Sequence, residues 1–245
     1  MDNAILRLFS ELPLQGPGSD SETIRVLRLV ASELSSKPII ADFGCGTGRS
    51  TLVLAETVKA ATITALDTAS VFIDVLRTRV QDLGLDSRVR PVVGNMLSPP
   101  IAPRTLDLVG SEGTAYAVGL AAALQVWQPL IHDEGRCVVS ECEWLSGDRP
   151  PSVEAFWREN YPDMGDRDEN VRRAQAAGFE VLATHVLSDE GWDAYYGALT
   201  SALATVPKGT IQPWFASGIA REIEIRRLGQ HCFGYVFYVL RPRRR

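Results

Sequence analysis

The residues best suited to chemistry stand together at Asp42-Phe43-Gly44-Cys45-Gly46-Thr47-Gly48. An apolar run, Pro38-Ile39-Ile40-Ala41, precedes them, and a helical pattern from Arg49 to Ala55 follows. A carboxylate closing a strand, glycines at every second position and a helix start suit a nucleotide-type ligand on an α/β sheet. Glycine removes the Cβ, so backbone and ligand can approach closely. The helix start offers free N–H groups to a carboxylate or phosphate. The dinucleotide pattern G-x-G-x-x-G fails from Gly44, where Arg49 stands in place of glycine, and from Gly46, where Thr51 does. The phosphate-loop pattern fails because no Gly-Lys-Ser/Thr follows. What remains is D-x-G-x-G-x-G, which a purely structural strand–helix turn can also carry.

The elements that must position this loop follow from periodicity and turn residues. Residues 4–12 read as a short helix, and Gln15-Gly16-Pro17-Gly18-Ser19 as a turn-rich loop. Asp20 or Ser21 can cap a helix over 22–33 that carries Ile24, Leu27, Val30, Ala31 and Leu34 on one face. Strands over 38–43, 62–67, 89–93, 106–110 and 136–141 alternate with helices to about residue 59 and over 69–84 and 117–131. That alternation implies a mostly parallel, doubly wound sheet. Pro91 marks the third strand as an edge or a bulge. A helix opening at Pro150-Pro151 and another over 168–177 follow, then a strand over 179–187, two helices over 189–230 and a strand over 232–240. The long helical insert and residues 145–165 read as a lid over the carboxyl edge of the sheet, where open α/β sheets bind ligands. Asp42, Asp67, Asn95, Met96, Ser111, Glu112, Glu141 and Glu143 all fall at such strand ends.

Composition narrows the class. The 245 residues, 45% hydrophobic and 22% charged, suit one globular domain over 1–245. A formal net charge of −5 argues against a nucleic-acid substrate. The basic run Arg241-Pro242-Arg243-Arg244-Arg245 reads as a solvated tail. Cys45, Cys137, Cys142 and Cys232 show no C-x-x-C spacing, so reduced thiols in a cytoplasm are expected. No metal site is visible, no apolar run reaches membrane-spanning length, and no signal-peptide pattern opens the chain.

The segments Asp42–Gly48, Asp67, Gly94-Asn95-Met96 and Asp107–Glu112 resemble, in order and spacing, the class I S-adenosylmethionine (SAM) methyltransferases. Four further segments resemble a bacterial small-molecule group related to the ubiquinone/menaquinone C-methyltransferases: Leu14–Ser19, Gly110–Tyr116, Ala155–Pro162 and Gly234–Tyr238. The resemblance implies a Rossmann-like sheet of seven strands with the last antiparallel. It implies a SAM-binding core over 20–145, and acceptor-binding elements over 145–165 and 188–230. Asp42 would orient the SAM amine, and Gly44, Cys45, Gly46, Thr47 and Gly48 would line the cofactor. Asp67 would accept the ribose hydroxyls or cap the next helix. Asn95 would meet the adenine rim, Met96 would cover its face or fill the core, and Thr68 or Phe72 would pack on it. Ser111 would complete the cofactor set. Gly110 stands where relatives often carry a bulky residue.

The expected reaction is in-line methyl transfer to a small-molecule acceptor, with S-adenosyl-L-homocysteine as product. Glu112 and His185 are the candidate bases; His185 could instead be structural, and Glu112 could bind the amino end of SAM. Tyr116, Trp157, Tyr195 and Tyr196 are candidate acceptor contacts or plain packing. A cation-bearing acceptor could use this aromatic and acidic lining. A non-catalytic SAM-binding protein and an NAD(P)-dependent oxidoreductase are the alternatives, and a homodimer is allowed.

Overall fold

In the computed structural model, which describes residues 3–243, Ile39–Phe43 (β1) is buried at four of its five residues and Leu106–Ser111 (β4) at all six. Strands covered on both faces read as continuous apolar runs, and these two lie at the middle of the sheet. Thr62–Asp67 (β2), Val89–Val93 (β3), Ile131–Trp144 (β5), Phe179–Val186 (β6) and Phe233–Pro242 (β7) complete it in the order β3-β2-β1-β4-β5-β7-β6. The first five strands pair in parallel, and β7 runs antiparallel to both β5 and β6. The expected seven-stranded, mostly parallel sheet with an antiparallel last strand is the observed one. Pro91 sits on β3, an edge strand, where the missing N–H costs least.

Helices cover both faces. Asn3–Glu11 (α1), Asp20–Leu27 (α2), Arg49–Thr57 (α3) and Ser70–Asp82 (α4) bury Leu8, Val26, Leu54 and Leu76 in one core. Leu120–Trp127 (α5) and Arg167–Ala176 (α7) bury Trp127 and Ala174 in the other, with Phe43 and Phe179 of the sheet. Pro151–Asn160 (α6), Asp189–Thr205 (α8) and Pro213–Gly229 (α9) extend the first core through Phe156, Trp192 and Ile219.

Several boundaries differ from expectation: β5 begins at Ile131 rather than 136 and α5 ends at Trp127 rather than 131, and three others have a local reason. Ser19, not Asp20 or Ser21, caps α2, its hydroxyl accepting the Glu22 N–H at 3.3 Å. That helix stops at Leu27; the chain turns and Glu33 pairs with the buried Arg136 guanidinium. Gly119, at φ 82°, sets the start of α5 at Leu120 rather than 117. Among the described residues no helix is long and apolar enough to cross a membrane. Arg244 and Arg245 of the basic run lie outside the described residues; Arg241 pairs with Glu180 at 2.6 Å.

Candidate active site

Because β1, β2 and β4 run parallel in register, Asp42, Asp67 and Ser111 end near one edge of the sheet. A cavity of about 220 Å³ opens there. Gly44, Cys45 and Gly46 of the β1–α3 loop line it, with Asp67, Phe72, Glu112 and Tyr116. The loop keeps this shape through backbone that other residues resist. Gly44 has φ 69°, and a Cβ there would stand 2.1 Å from Thr114 Cγ2. Asp67 accepts the Gly46 N–H at 3.0 Å on one oxygen and the Ala69 N–H at 2.8 Å on the other. It thus ties the glycine loop to the start of α4 while keeping lone pairs toward the cavity, since each carboxylate oxygen carries two.

The remaining expected cofactor residues divide by position. Asp42 lies under the cavity, where its Oδ2 accepts the Ser50 and Thr51 hydroxyls at 2.9 and 2.6 Å. Burial pushes its carboxyl up to about 6 against those two hydrogen bonds. Ser50, one of its partners, lines the cavity in its place. Thr47 turns away, giving its N–H and hydroxyl to Gln15 Oε1 at 3.1 and 3.0 Å. Gly48 packs under α4, where a Cβ would stand 2.1 Å from Leu76 Cδ1. Thr68 is exposed, and Asn95 is exposed with its Oδ1 accepting the Leu97 N–H at 2.8 Å. Met96 points into the core beside Trp127, whose indole donates to the Met96 carbonyl at 3.0 Å. Ser111 is fully buried, its hydroxyl without a partner. None of Asp42, Thr47, Gly48, Thr68, Asn95, Met96 and Ser111 lines the cavity.

The two candidate bases part company. Glu112 lines the cavity, but Oε2 accepts Arg49 Nη2 at 2.5 Å and the Thr23 hydroxyl at 2.9 Å. His185, on β6, pairs with Glu22 and lines neither this cavity nor the next. Its alternation on a half-exposed edge strand explains that placement.

A second cavity of about 200 Å³ shares Gln15, Gly16, Pro17, Gly113 and Tyr116 with the first. Its walls are aromatic: Phe156, Trp157 and Tyr161 from α6 and its end, Trp192 and Tyr195 from α8, and Tyr235 from β7. Among the described residues, its one charged lining residue is Glu222 of α9. Tyr196 stands outside the lining and donates its hydroxyl to Glu222 Oε1 at 2.8 Å. Burial holds the Glu222 carboxyl above the usual range, and the Tyr196 hydrogen bond acts against it. Tyr161 donates to Glu141 Oε1 at 2.8 Å; burial pushes Glu141 up to about 7, and its Oε2 has no partner.

Sequence reasoning assigned no role to Gln15, Arg49 or Glu222. Glu222 left a signal: it lies three residues from both Ile219 and Ile225, which are buried, so a carboxylate sits on the apolar face of α9. Gln15 and Arg49 left none, because their partners Thr47 and Glu112 lie 32 and 63 residues away.

Residues 40–135 match the family model described as a methyltransferase domain. No curated protein matches the sequence. Among solved structures, a SAM-dependent methyltransferase from Geobacter sulfurreducens in complex with S-adenosyl-L-homocysteine superposes with a TM-score of 0.82 at 17% identity, covering 99% of each chain. The fold is that of SAM-dependent methyltransferases. YjhP from E. coli superposes with a TM-score of 0.81 at 20% identity, over 99% of this chain and 100% of that one. A geranyl diphosphate C-methyltransferase from Streptomyces coelicolor A3(2), in complex with Mg²⁺, geranyl diphosphate and S-adenosyl-L-homocysteine, reaches 0.69 at 17% identity, over 91% of this chain and 79% of that one.

Proposed function

We propose that the protein is a SAM-dependent methyltransferase acting on a small molecule, within one domain whose residues 20–145 hold the cofactor and whose residues 145–165 and 188–230 hold the acceptor. The observation that carries this reading is the pair of cavities with a common wall. One meets a glycine loop and a strand-end carboxylate; the other is aromatic. The groups present suit SAM. Asp67 offers free lone pairs to a diol, Phe72 offers a ring to a base, and Glu112 offers its carboxylate to an ammonium.

When bound, SAM supplies a methyl group already activated on a sulfonium. The chain's own residues align and desolvate. Gln15, Gly16 and Pro17 cover the join between the cavities, and Tyr116 stands in both walls. Glu112 is held by Arg49 and Thr23, which suits a fixed ligand contact better than a mobile base. His185, beside Glu22, lines neither cavity. The likeness to the quinone C-methyltransferase group concerns segments that line these cavities (Gln15, Tyr116, Trp157 and Tyr235) and leaves the methylated atom open. The Streptomyces relative is complexed with a diphosphate, whereas no Lys, Arg or His among the described residues lines the second cavity here.

Calorimetric titration tests the cofactor. S-adenosyl-L-homocysteine should bind in the micromolar range, NADH should give no heat, and Asp67→Ala should weaken the binding by roughly tenfold or more, the size of charged hydrogen bonds lost. A wild-type protein silent to both SAM and S-adenosyl-L-homocysteine would end the reading.

A further inference from the structure

The second cavity has a composition that selects its ligand. Its charge is one-sided: a carboxylate, Glu222, and no cation among the described residues of the lining. Two guanidiniums of α9 lie against its rings from outside the lining, and each is paired with a carboxylate: Arg226 pairs with Asp189, donates to the Phe233 carbonyl at 2.8 Å and lies 4.5 Å over the Trp192 ring, and Arg221 pairs with Glu159 at 3.2 Å and lies 5.2 Å over the Phe156 ring. Around the carboxylate stand ring faces and phenols. Trp192 and Tyr235 lie 5.4 Å apart at 33°, and Tyr116 and Tyr161 lie 5.9 Å apart at 63°. Burial, and then the Glu222 charge, hold the Tyr116 and Tyr195 hydroxyls above the ordinary phenol range, and burial does the same for Tyr235, with Glu222 a lesser cause. Behind Tyr161, Glu141 adds a second acidic group.

An aromatic box attracts a cation through the negative faces of its rings, more strongly when desolvated. A carboxylate within it supplies the matching charge and a proton acceptor. A neutral hydroxyl compound gains the proton acceptor alone, without the charge attraction, and an anion is repelled. The cavity, about 200 Å³, lies below the usual range of roughly 300–1,000 Å³ for drug-sized ligands, so the occupant is small.

We propose that the acceptor is a small primary or secondary amine, bound as its ammonium form in the aromatic cavity, and that Glu222 is the residue that takes its proton. This rests on the methyltransferase reading above. The ammonium N–H bond breaks and its proton passes to the Glu222 carboxylate, leaving the nitrogen lone pair free. That pair forms the new N–C bond as the carbon–sulfur bond of SAM breaks, its electrons staying on the sulfur of S-adenosyl-L-homocysteine. The product leaves as the N-methylated ammonium, and Glu222 returns its proton to solvent.

Protein saturated with S-adenosyl-L-homocysteine is titrated with benzylamine, phenethylamine and piperidine, each against its oxygen isostere: benzyl alcohol, 2-phenylethanol and tetrahydropyran. Quenching of Trp157 and Trp192 fluorescence reports binding. At least one amine should bind about tenfold or more tighter than its isostere, and Glu222→Gln should erase that preference while its S-adenosyl-L-homocysteine affinity stays unchanged. With labelled SAM, the label should appear on nitrogen of the preferred amine. Amines binding no better than their isosteres, or a preference that survives Glu222→Gln, would overturn the assignment. The wild-type comparison stands alone should the variant fail to fold. A wild-type protein that does not bind S-adenosyl-L-homocysteine at all would strike instead at the methyltransferase reading.

Discussion

Glu141 shows what a single buried carboxyl does to the protein. Its side chain is fully buried, one oxygen accepts the Tyr161 hydroxyl and the other has no partner. Burial lifts it from 4.5 to about 7, so the native chain holds a proton that the unfolded chain releases between those values. The sign follows. The associated stability is complete below pH 4.5 and is lost as pH rises through about 7. Glu141→Gln keeps a carbonyl for the Tyr161 hydroxyl and cannot ionise. It should therefore gain on wild type as pH rises, by about 2–3 kcal/mol between acid and mildly alkaline pH. Urea midpoints of both proteins at pH 4.5 and pH 8 measure this. An equal gap at the two pH values would mean that Glu141 titrates normally. At this scale the sequence placed the polar residues at strand ends but not their directions. Asp67 and Glu112 meet the cavity, whereas Asn95 is spent on its own turn at Leu97 and Met96 turns toward Trp127, 31 residues away. Direction depends on partners remote in the chain, and spacing carries no record of them.

Among elements, the β1–α3 loop and helix α8 contain glycines of opposite kinds. At Gly44 the backbone has φ 69° and a Cβ would stand 2.1 Å from Thr114 Cγ2. Gly44→Ala should cost roughly 2–4 kcal/mol, strain and overpacking together, and should weaken S-adenosyl-L-homocysteine binding. At Gly197, on the exposed face of α8, nothing lies within 4 Å of an added Cβ. Gly197→Ala should stabilise by about 0.5–1 kcal/mol, because alanine loses less backbone freedom in a helix. Thermal unfolding of the two variants checks both signs, and a Gly44→Ala protein as stable as wild type would mean that the loop relaxes freely. The elements themselves were legible because their signals are local: the buried run of β4, the alternation of β6, the glycine-rich turn before α3. The first part of β5 was not. Its His132-Asp133-Glu134 stretch reads as a polar turn and becomes strand when Ile131 pairs with Leu106 across a register shift. A bulge is a property of two strands, so neither strand's pattern reveals it.

On the scale of the whole molecule, residues 12–19 tie α1, the glycine loop and α8 together beside the two cavities. Gln15 is held by the Phe9 and Leu12 carbonyls at 2.9 and 3.0 Å, and its own carbonyl takes both donors of Thr47. Gly18 donates to the Gly191 carbonyl at the start of α8 at 3.2 Å. Gln15, Gly16 and Pro17 stand in the walls of both cavities, so a ligand in either one adds contacts to the same short segment. Such a segment, with few buried apolar contacts of its own, opens at lower free energy than the sheet. A ligand that binds only the closed form raises that opening energy, by about 2.7 kcal/mol at a hundredfold excess over Kd. Saturating S-adenosyl-L-homocysteine should therefore slow amide hydrogen exchange at Gln15, Gly16 and Gly18 by roughly tenfold or more, and at Gly191 with them. The amides of β3, at the far edge of the sheet, should not change. Exchange measured by mass spectrometry with and without the ligand gives the answer. Protection confined to residues 44–48 would show that the segment packs beside the cofactor without responding to it. Protection reaching Gly191 would instead mean that filling the first cavity also firms the wall of the second, so that the acceptor meets a better-ordered site once the cofactor is bound.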